Sequence, residues 1–242
     1  MAQTVARLLV DSLEAHDIDL IYCVPGESYL GMTNALADNN RMRLIVCRHE
    51  GGAAFMAAAD GRMRGGRAGV CVVSRGPGLS NALIGLHTAY HDATPLVVII
   101  GQVERFEAGR MALQEQNYSR LLSDVTKLVI EVNDPIQASE AMARAFHIAE
   151  SGTPGPVAVI IPEDLFDTET EATLNRPRPQ AVAHRQARRV FMLEARAACM
   201  AGEWGCSSCG SRSASWRWLR IATCEGITGI PRPAQAFLAS NS

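Results

Sequence analysis

Residues 70–100 read VCVVSRGPGLSNALIGLHTAYHDATPLVVII. Two aliphatic runs, Val70–Val73 and Pro95–Ile100, flank a glycine–proline turn and a stretch of helical length, residues 79–90. Neither run alternates apolar with polar residues. Continuous apolar strands are covered on both faces, as in a parallel sheet. Two such strands joined through a helix form a right-handed crossover unit. The glycine-rich turn of this unit falls at a strand's carboxyl end.

The same unit recurs on either side. Leu20–Val24 ends in Pro25-Gly26, and a helix over 28–38 is stopped by Asn39-Asn40. Leu44–Cys47 precedes a helix over 52–63. Val125–Val132, a helix over 135–150 and Pro156–Ile161 follow. The pattern predicts an α/β fold: a doubly wound, mainly parallel six-stranded sheet with helices on both faces, followed by an irregular tail. Ligands of such sheets bind at the carboxyl ends of the strands. Here those ends carry Pro25, Gly26, Glu27, Glu50, Ser74 to Gly78, and Gln102.

The 242-residue chain is 48% hydrophobic and 20% charged, an ordinary soluble globular composition. A net charge of −2 offers nucleic acid no electrostatic footing. No apolar run is long enough to span a membrane. The N-terminal MAQTVARLLVDSLEAHD is charged and amphipathic and lacks the apolar core of a signal peptide. A cytoplasmic location is therefore the expectation. Cys23, Cys47 and Cys71 lie in or at the end of apolar runs, where a thiol acts as a small hydrophobe.

The character of the chain changes near residue 183. Residues 184–242 hold eight arginines against three glutamates, all three tryptophans, and four of the seven cysteines. CSSCGSRSASWRW (206–218) has no clear period. The polar, proline-bearing DTETEATLNRPRPQA (167–181) reads as a linker. This gives a domain over 1–167, a linker over 168–183 and an atypical tail over 184–242. A zinc site in the tail would use Cys199, Cys206, Cys209 and Cys224, but Cys206-x-x-Cys209 has no second tight pair. A small module, a poorly folding stretch and a reading-frame change all remain open as origins of the tail.

GPGLSN (76–81) imitates a dinucleotide loop, but Asn81 replaces the third glycine and Pro77 removes a backbone donor. A tight strand-to-helix turn, with Ser80 or Asn81 at the helix start, is the plainer reading. In VCRHEGGAAFMAAADGRMRG (46–65), an apolar strand ends in Arg48-His49-Glu50 and a helix of small residues follows. Glu50 there is either a carboxylate favoured by a helix N-terminus or a chemical group.

VPGESYLGM, RHEGGAAFMAAADG and SRGPGLSNALIGLHTAYHDATPLVVIIGQV, in that order, resemble the acetolactate synthase-like thiamine diphosphate enzymes. LQEQNYSRLLSDVTK and GTPGPVAVIIPEDL extend the resemblance over roughly residues 3–166. The similar part is the family's N-terminal pyrimidine-binding (Pyr) domain. The resemblance implies that Glu50 meets N1′ of the cofactor's aminopyrimidine. A carboxylate there favours the imino tautomer whose 4′-nitrogen takes the C2 proton. The cofactor supplies the carbanion chemistry and the protein its placement.

By the same resemblance, Pro25, Gly26, Ser74, Arg75, Gly76, Pro77 and Gly78 would line the pyrimidine pocket as close-approaching backbone. Asn81 would anchor that turn among the cofactor-binding residues. Gln114 would face the substrate side; the plain reading makes it an exposed helix residue. The helix AAFMAAA (53–59) would suit a tight contact between subunits, or close packing within one chain. His49, His87 and His91 read as structural residues.

The sequence departs from the family in three places. Arg62-Met63 replaces an aromatic–alanine pair, Leu113 stands where an aromatic is usual, and no G-D-G is present. That motif belongs to the family's diphosphate and Mg²⁺ domain. The expectation is therefore a truncated or split enzyme that binds thiamine diphosphate by its pyrimidine end, with no metal ligand of its own. Mg²⁺ and FAD would belong to full-length relatives. The partner would be a second copy, or a chain carrying the diphosphate-binding domain, and the substrate a small 2-ketoacid. The alternative is a non-catalytic orphan Pyr module that binds a partner subunit. From the composition break, limited proteolysis should leave a resistant fragment ending between about 165 and 190. Equal protection of the tail would contradict it.

Overall fold

The computed structural model describes residues 2–177. In chain order the elements are β1 (Gln3–Thr4), α1 (Val5–Ala15), β2 (Leu20–Cys23), α2 (Leu30–Ala37), β3 (Arg43–Val46), α3 (Glu50–Met63), β4 (Gly69–Val73) and α4 (Gly76–His91). Then come β5 (Leu96–Gln102), α5 (Tyr118–Leu122), β6 (Leu128–Glu131), α6 (Ala138–Glu150), β7 (Pro156–Pro162), α7 (Glu163–Phe166) and β8 (Glu169–Thr170). Six strands form one sheet in the order β3-β2-β4-β5-β7-β6, and every pairing in it is parallel. The expected sheet is thus present, wholly rather than mainly parallel.

Strand residues divide by parity between the two faces. Ile21, Cys23, Val70, Val72, Val97, Ile99, Val157 and Val159 pack with α1, α2 and α6. Tyr22, Cys71, Val73, Val98, Ile100, Ala158 and Ile160 pack with α3, α4 and α5. Both faces are covered, which explains the unbroken apolar runs. The chain adds β3 on one side of β2 and returns to place β4 on the other. The topological switch point therefore lies between the carboxyl ends of β2 and β4, where doubly wound sheets open their crevice.

Local sequence explains the helices. The Thr4 hydroxyl caps α1 by accepting from the Arg7 N–H at 3.3 Å, and Val5, Leu8, Leu9 and Leu13 form its buried stripe. Ala138, Ala141, Met142, Ala145, Phe146 and Ala149 do the same on α6. The Lys127 ammonium donates to the carbonyls of Ile148 and, at 2.8 Å, Ser151, a cation at a helix's carboxyl end.

Some expectations are corrected. Helix α4 begins at Gly76 rather than 79, so GPGLSN is its first turn and not a separate one. Strand β6 is confined to Leu128–Glu131, because Val125 and Thr126 still turn out of α5. Residues 168–175, read as linker, pack on the domain. Strand β8 pairs antiparallel with β1, Ala172 and Leu174 join the core, and the Asn175 N–H donates to Ser139 Oγ at 2.7 Å. The tail over 184–242, with its four candidate zinc cysteines, lies outside the described residues.

His16 stacks on Phe146 with ring centroids 4.1 Å apart, and its Nε2 is buried without a partner. Burial lowers its pKa to about 4, against the opposing pull of Asp17. The folded pKa lies below the unfolded value. Stability is therefore full above about pH 6.5 and falls as pH drops towards 4. His16→Phe keeps the stacked ring and removes the titration. Chemical denaturation of the two proteins between pH 7 and 4 should show wild type losing about 1–2 kcal/mol more, a figure discounted for the ring's part exposure. Parallel pH curves would refute this.

Candidate functional site

At the switch point, the loop after β2 meets the turn after β4. A Cβ on Gly26 would lie 2.6 Å from Ser74 Cβ and 3.2 Å from its Oγ. Only a residue without a side chain allows this approach. A Cβ on Gly78 would lie 2.7 Å from Ser74 Oγ. Gly26, Ser74 and Gly78 thus form one wall, with exposed Pro25 and Pro77 at its rim. The Tyr29 hydroxyl, buried beneath, donates to the Val24 carbonyl and holds the loop closed; burial pushes its pKa well above the ordinary range.

Glu50 is the first residue of α3. His49 precedes it as N-cap, its Nδ1 accepting from the Gly51 N–H at 3.0 Å. Strand β3 ends at Val46, so Glu50 is a helix-start carboxylate, separated from the strand by Cys47, Arg48 and His49. From there Glu50 reaches α4: Asn81 Nδ2 donates to Glu50 Oε2 at 2.9 Å. The other oxygen, Oε1, lies 3.5 Å from where a Cβ on Gly78 would stand. Asn81 bonds to Glu50 from within the first turns of α4, and the helix begins without a side-chain cap.

The loop over 103–117 closes the second side. Gln114 is neither helical nor buried, and has a left-handed φ of 64°. Its carbonyl accepts from the Gly76 N–H at 3.1 Å, so its backbone reaches the turn while its side chain stands in solvent. A Cβ on Gly76 would meet Gln116 Cγ at 2.6 Å. Gln102 fastens the loop, its Nε2 donating to the Gln116 carbonyl at 3.1 Å while its Oε1 accepts from the Val103 N–H.

Sequence reasoning placed Arg75 in the turn for its backbone and missed its side chain. Its guanidinium pairs with Glu163 at the start of α7 and lies 3.9 Å from Glu27, which ties three carboxyl-end loops together. Its Nε and the Tyr118 hydroxyl are both buried without partners, and burial raises the Tyr118 pKa against the pull of Arg75. The signal was an arginine inside a glycine-rich turn, whose residues had been taken for their backbone alone. The thiols of Cys71, Cys23 and Cys47 are all pushed up by burial, which makes them poor nucleophiles. Among the described residues, no three His, Cys, Asp or Glu side chains come together to hold a metal ion.

Gly26, Ser74, Gly78 and Glu50 are thus brought together, with Asn81 behind Glu50 and the Gln114 backbone on the far side of the turn. At this junction the two glycines close on the Ser74 side chain, and one oxygen of the Glu50 carboxylate stands beside Gly78.

Residues 3–121 match the family model described as the thiamine pyrophosphate enzyme, N-terminal TPP binding domain. The chain is 38% identical over 162 residues to a catabolic acetolactate synthase of Raoultella terrigena, covering 67% of this chain and 29% of that protein. It is 37% identical over 167 residues to a probable acetolactate synthase large subunit of Methanocaldococcus jannaschii, covering 69% and 28%. It is 36% identical over 168 residues to an acetolactate synthase large subunit of Corynebacterium glutamicum, covering 69% and 27%. The match thus spans less than a third of the length of these relatives.

Proposed function

Residues 3–121 belong to the N-terminal TPP binding domain of the thiamine pyrophosphate enzymes, in an acetolactate synthase-like form, and from that premise we propose that the chain holds the aminopyrimidine end of thiamine diphosphate with Glu50 facing N1′. The observation that supports this reading is the place of Glu50 Oε1, 3.5 Å from where a Cβ on Gly78 would stand, at the switch point where the turns after β2 and β4 meet. When bound, the cofactor supplies carbanion chemistry on 2-ketoacids, of the decarboxylation and carboligation class that its relatives' name implies.

The chain's own residues bind and orient. Gly26, Ser74, Gly76 and Gly78 present backbone to the ring's face, and Pro25 and Pro77 shape the rim. Glu50 holds a proton at N1′, the carboxylate role in general acid–base catalysis. Gln114 stands on the substrate side, on a loop whose backbone is locked to Gly76. A dry site would strengthen the Glu50 contact, because the hydrogen bond gains electrostatic strength in low dielectric.

Dryness would come from a partner. Phe55 and Met56 in the first half of α3, Met63 at its far end, and Ile84 on α4 expose large apolar side chains. A second copy, or a chain carrying a diphosphate- and Mg²⁺-binding domain, would cover them. The same face favours the second reading, a non-catalytic module that binds a partner subunit. No described helix is long and apolar enough to cross a membrane.

No G-D-G occurs in the sequence, and no metal-holding cluster occurs among the described residues, so the 242-residue polypeptide by itself would hold the cofactor without most of its charge-assisted binding. Assayed with pyruvate, thiamine diphosphate and Mg²⁺, it should show no turnover. Activity with contaminating host enzyme excluded would overturn this. The Glu50 assignment is tested by placing the domain in a full-length relative and measuring C2 proton exchange of bound cofactor. Glu50→Gln, nearly isosteric, should slow exchange by about 10²-fold or more and change stability by no more than about 1 kcal/mol. Exchange within about threefold of wild type would reduce Glu50 to a helix-start carboxylate.

A further inference from the structure

We infer that Asn81 is a positioning residue for Glu50: it fixes which carboxylate oxygen faces the crevice, and the small-residue contact between α3 and α4 sets its reach. This rests on the reading of Glu50 given above.

An ionised carboxylate accepts hydrogen bonds only, so the atom of Asn81 that faces it must be the Nδ2 donor. That donor holds Oε2 at 2.9 Å. The terminal torsion of a glutamate is broad and barely restrained by its own rotamer preferences. Without Asn81 the carboxylate of Glu50 would turn freely in a site that is part exposed. With Oε2 held, Oε1 stays on the side of Gly78 and Ser74, where the ligand's ring edge would lie. An amide suits the task because it orients the carboxylate without adding a charge. An arginine or lysine in its place would neutralise the group that must interact with N1′.

The reach of Asn81 depends on two glycines. A Cβ on Gly51, next to Glu50, would lie 3.1 Å from the Asn81 carbonyl and 3.1 Å from Ile84 Cγ2. A Cβ on Gly85, one turn further along α4, would overlap Ala54 Cβ. The backbones of α3 and α4 therefore touch almost directly at the level of Glu50. A side chain as short as asparagine then spans the gap. Glutamine, longer by one methylene, would overshoot it.

The test uses the full 242-residue chain, thiamine as the probe, and three variants. Asn81→Leu has similar volume but no donor. Asn81→Asp is nearly isosteric and regains a donor only when protonated. Glu50→Gln reports on the site itself. Asn81→Leu should weaken thiamine binding about tenfold, the loss of one charge-assisted hydrogen bond's orienting effect. Asn81→Asp should be weaker than wild type at pH 8, and the ratio should shrink towards pH 5. A purely structural asparagine would leave the Asp variant equal to wild type at both pH values. A readout without ligand accompanies these: the Asn81 side-chain NH₂ signals in ¹⁵N–¹H spectra should move on Glu50→Gln.

Unmoved Asn81 signals, or Asn81 variants that bind like wild type while Glu50→Gln weakens binding, would overturn this inference alone. Moved signals with thiamine affinity indifferent to Glu50→Gln would overturn instead the reading of Glu50 on which it rests. If thiamine does not bind measurably, the NH₂ signals decide the inference by themselves.

Discussion

Helix α3 lies backbone-to-backbone on its neighbours, and the site depends on that. A Cβ on Gly69, the first residue of β4, would overlap the Ala57 carbonyl of α3. A Cβ on Gly61 would lie 2.8 Å from both the Gly69 nitrogen and the Pro95 carbonyl. On the other side Gly85 presses α4 onto Ala54. The residues that α3 buries are Gly51, Ala53, Ala54, Ala57 and Gly61, none larger than a methyl. Close-packed interiors transmit displacement rather than absorb it. A helix seated this tightly on both strand and helix has little freedom to slide, so the residue at its start is held in place.

That residue is Glu50, and the topology puts it at the switch point of the sheet. The reversal of strand order between β2 and β4 leaves their carboxyl ends without a crossover helix between them. Two turns, one from each strand, then meet at Gly26 and Ser74. Helix α3 enters from β3, beyond β2, and brings its N-terminus over the same gap. The rim is stitched by charge: Arg75 to Glu163 and Glu27, and Arg105 to Asp164 at 2.7 Å. Arg75 is the stronger of these ties, since its side chain is only 11% exposed and its partners are correspondingly less screened.

Solvent exposure divides unevenly over the molecule. Strands β4, β5 and β7 are buried almost throughout, whereas the outer faces of α3 and α4 carry Phe55, Met56, Met63 and Ile84 in the open. The loop over 103–117 shows Phe106, Met111 and Leu113 in the same way, though the Glu115 carboxylate orders it by accepting from the Gly109 N–H at 2.6 Å and the Ala112 N–H at 3.2 Å. An ordered loop and two closely packed helices thus display apolar side chains to solvent.

Much of this was legible in the residues. Unbroken runs such as Val70–Val73 and Pro95–Ile100 can be buried only in a two-faced sheet, so the parallel fold, its crossovers and the strand ends follow from composition and spacing. The glycine-bearing turns and the place of Glu50 between strand and helix followed from the same pattern, because they are local in sequence. Three things were not legible. The start of α4 at Gly76 is fixed by the Gln114 carbonyl, 38 residues along the chain. Arg75 reads as an ordinary turn residue until Glu163 closes on it. Asn81 looks like a helix-start residue until the α3–α4 contact carries it to Glu50. Periodicity and propensity report what a residue prefers among its near neighbours, whereas hydrogen bonds between distant side chains are decided only when packing fixes the distance between the elements that bear them.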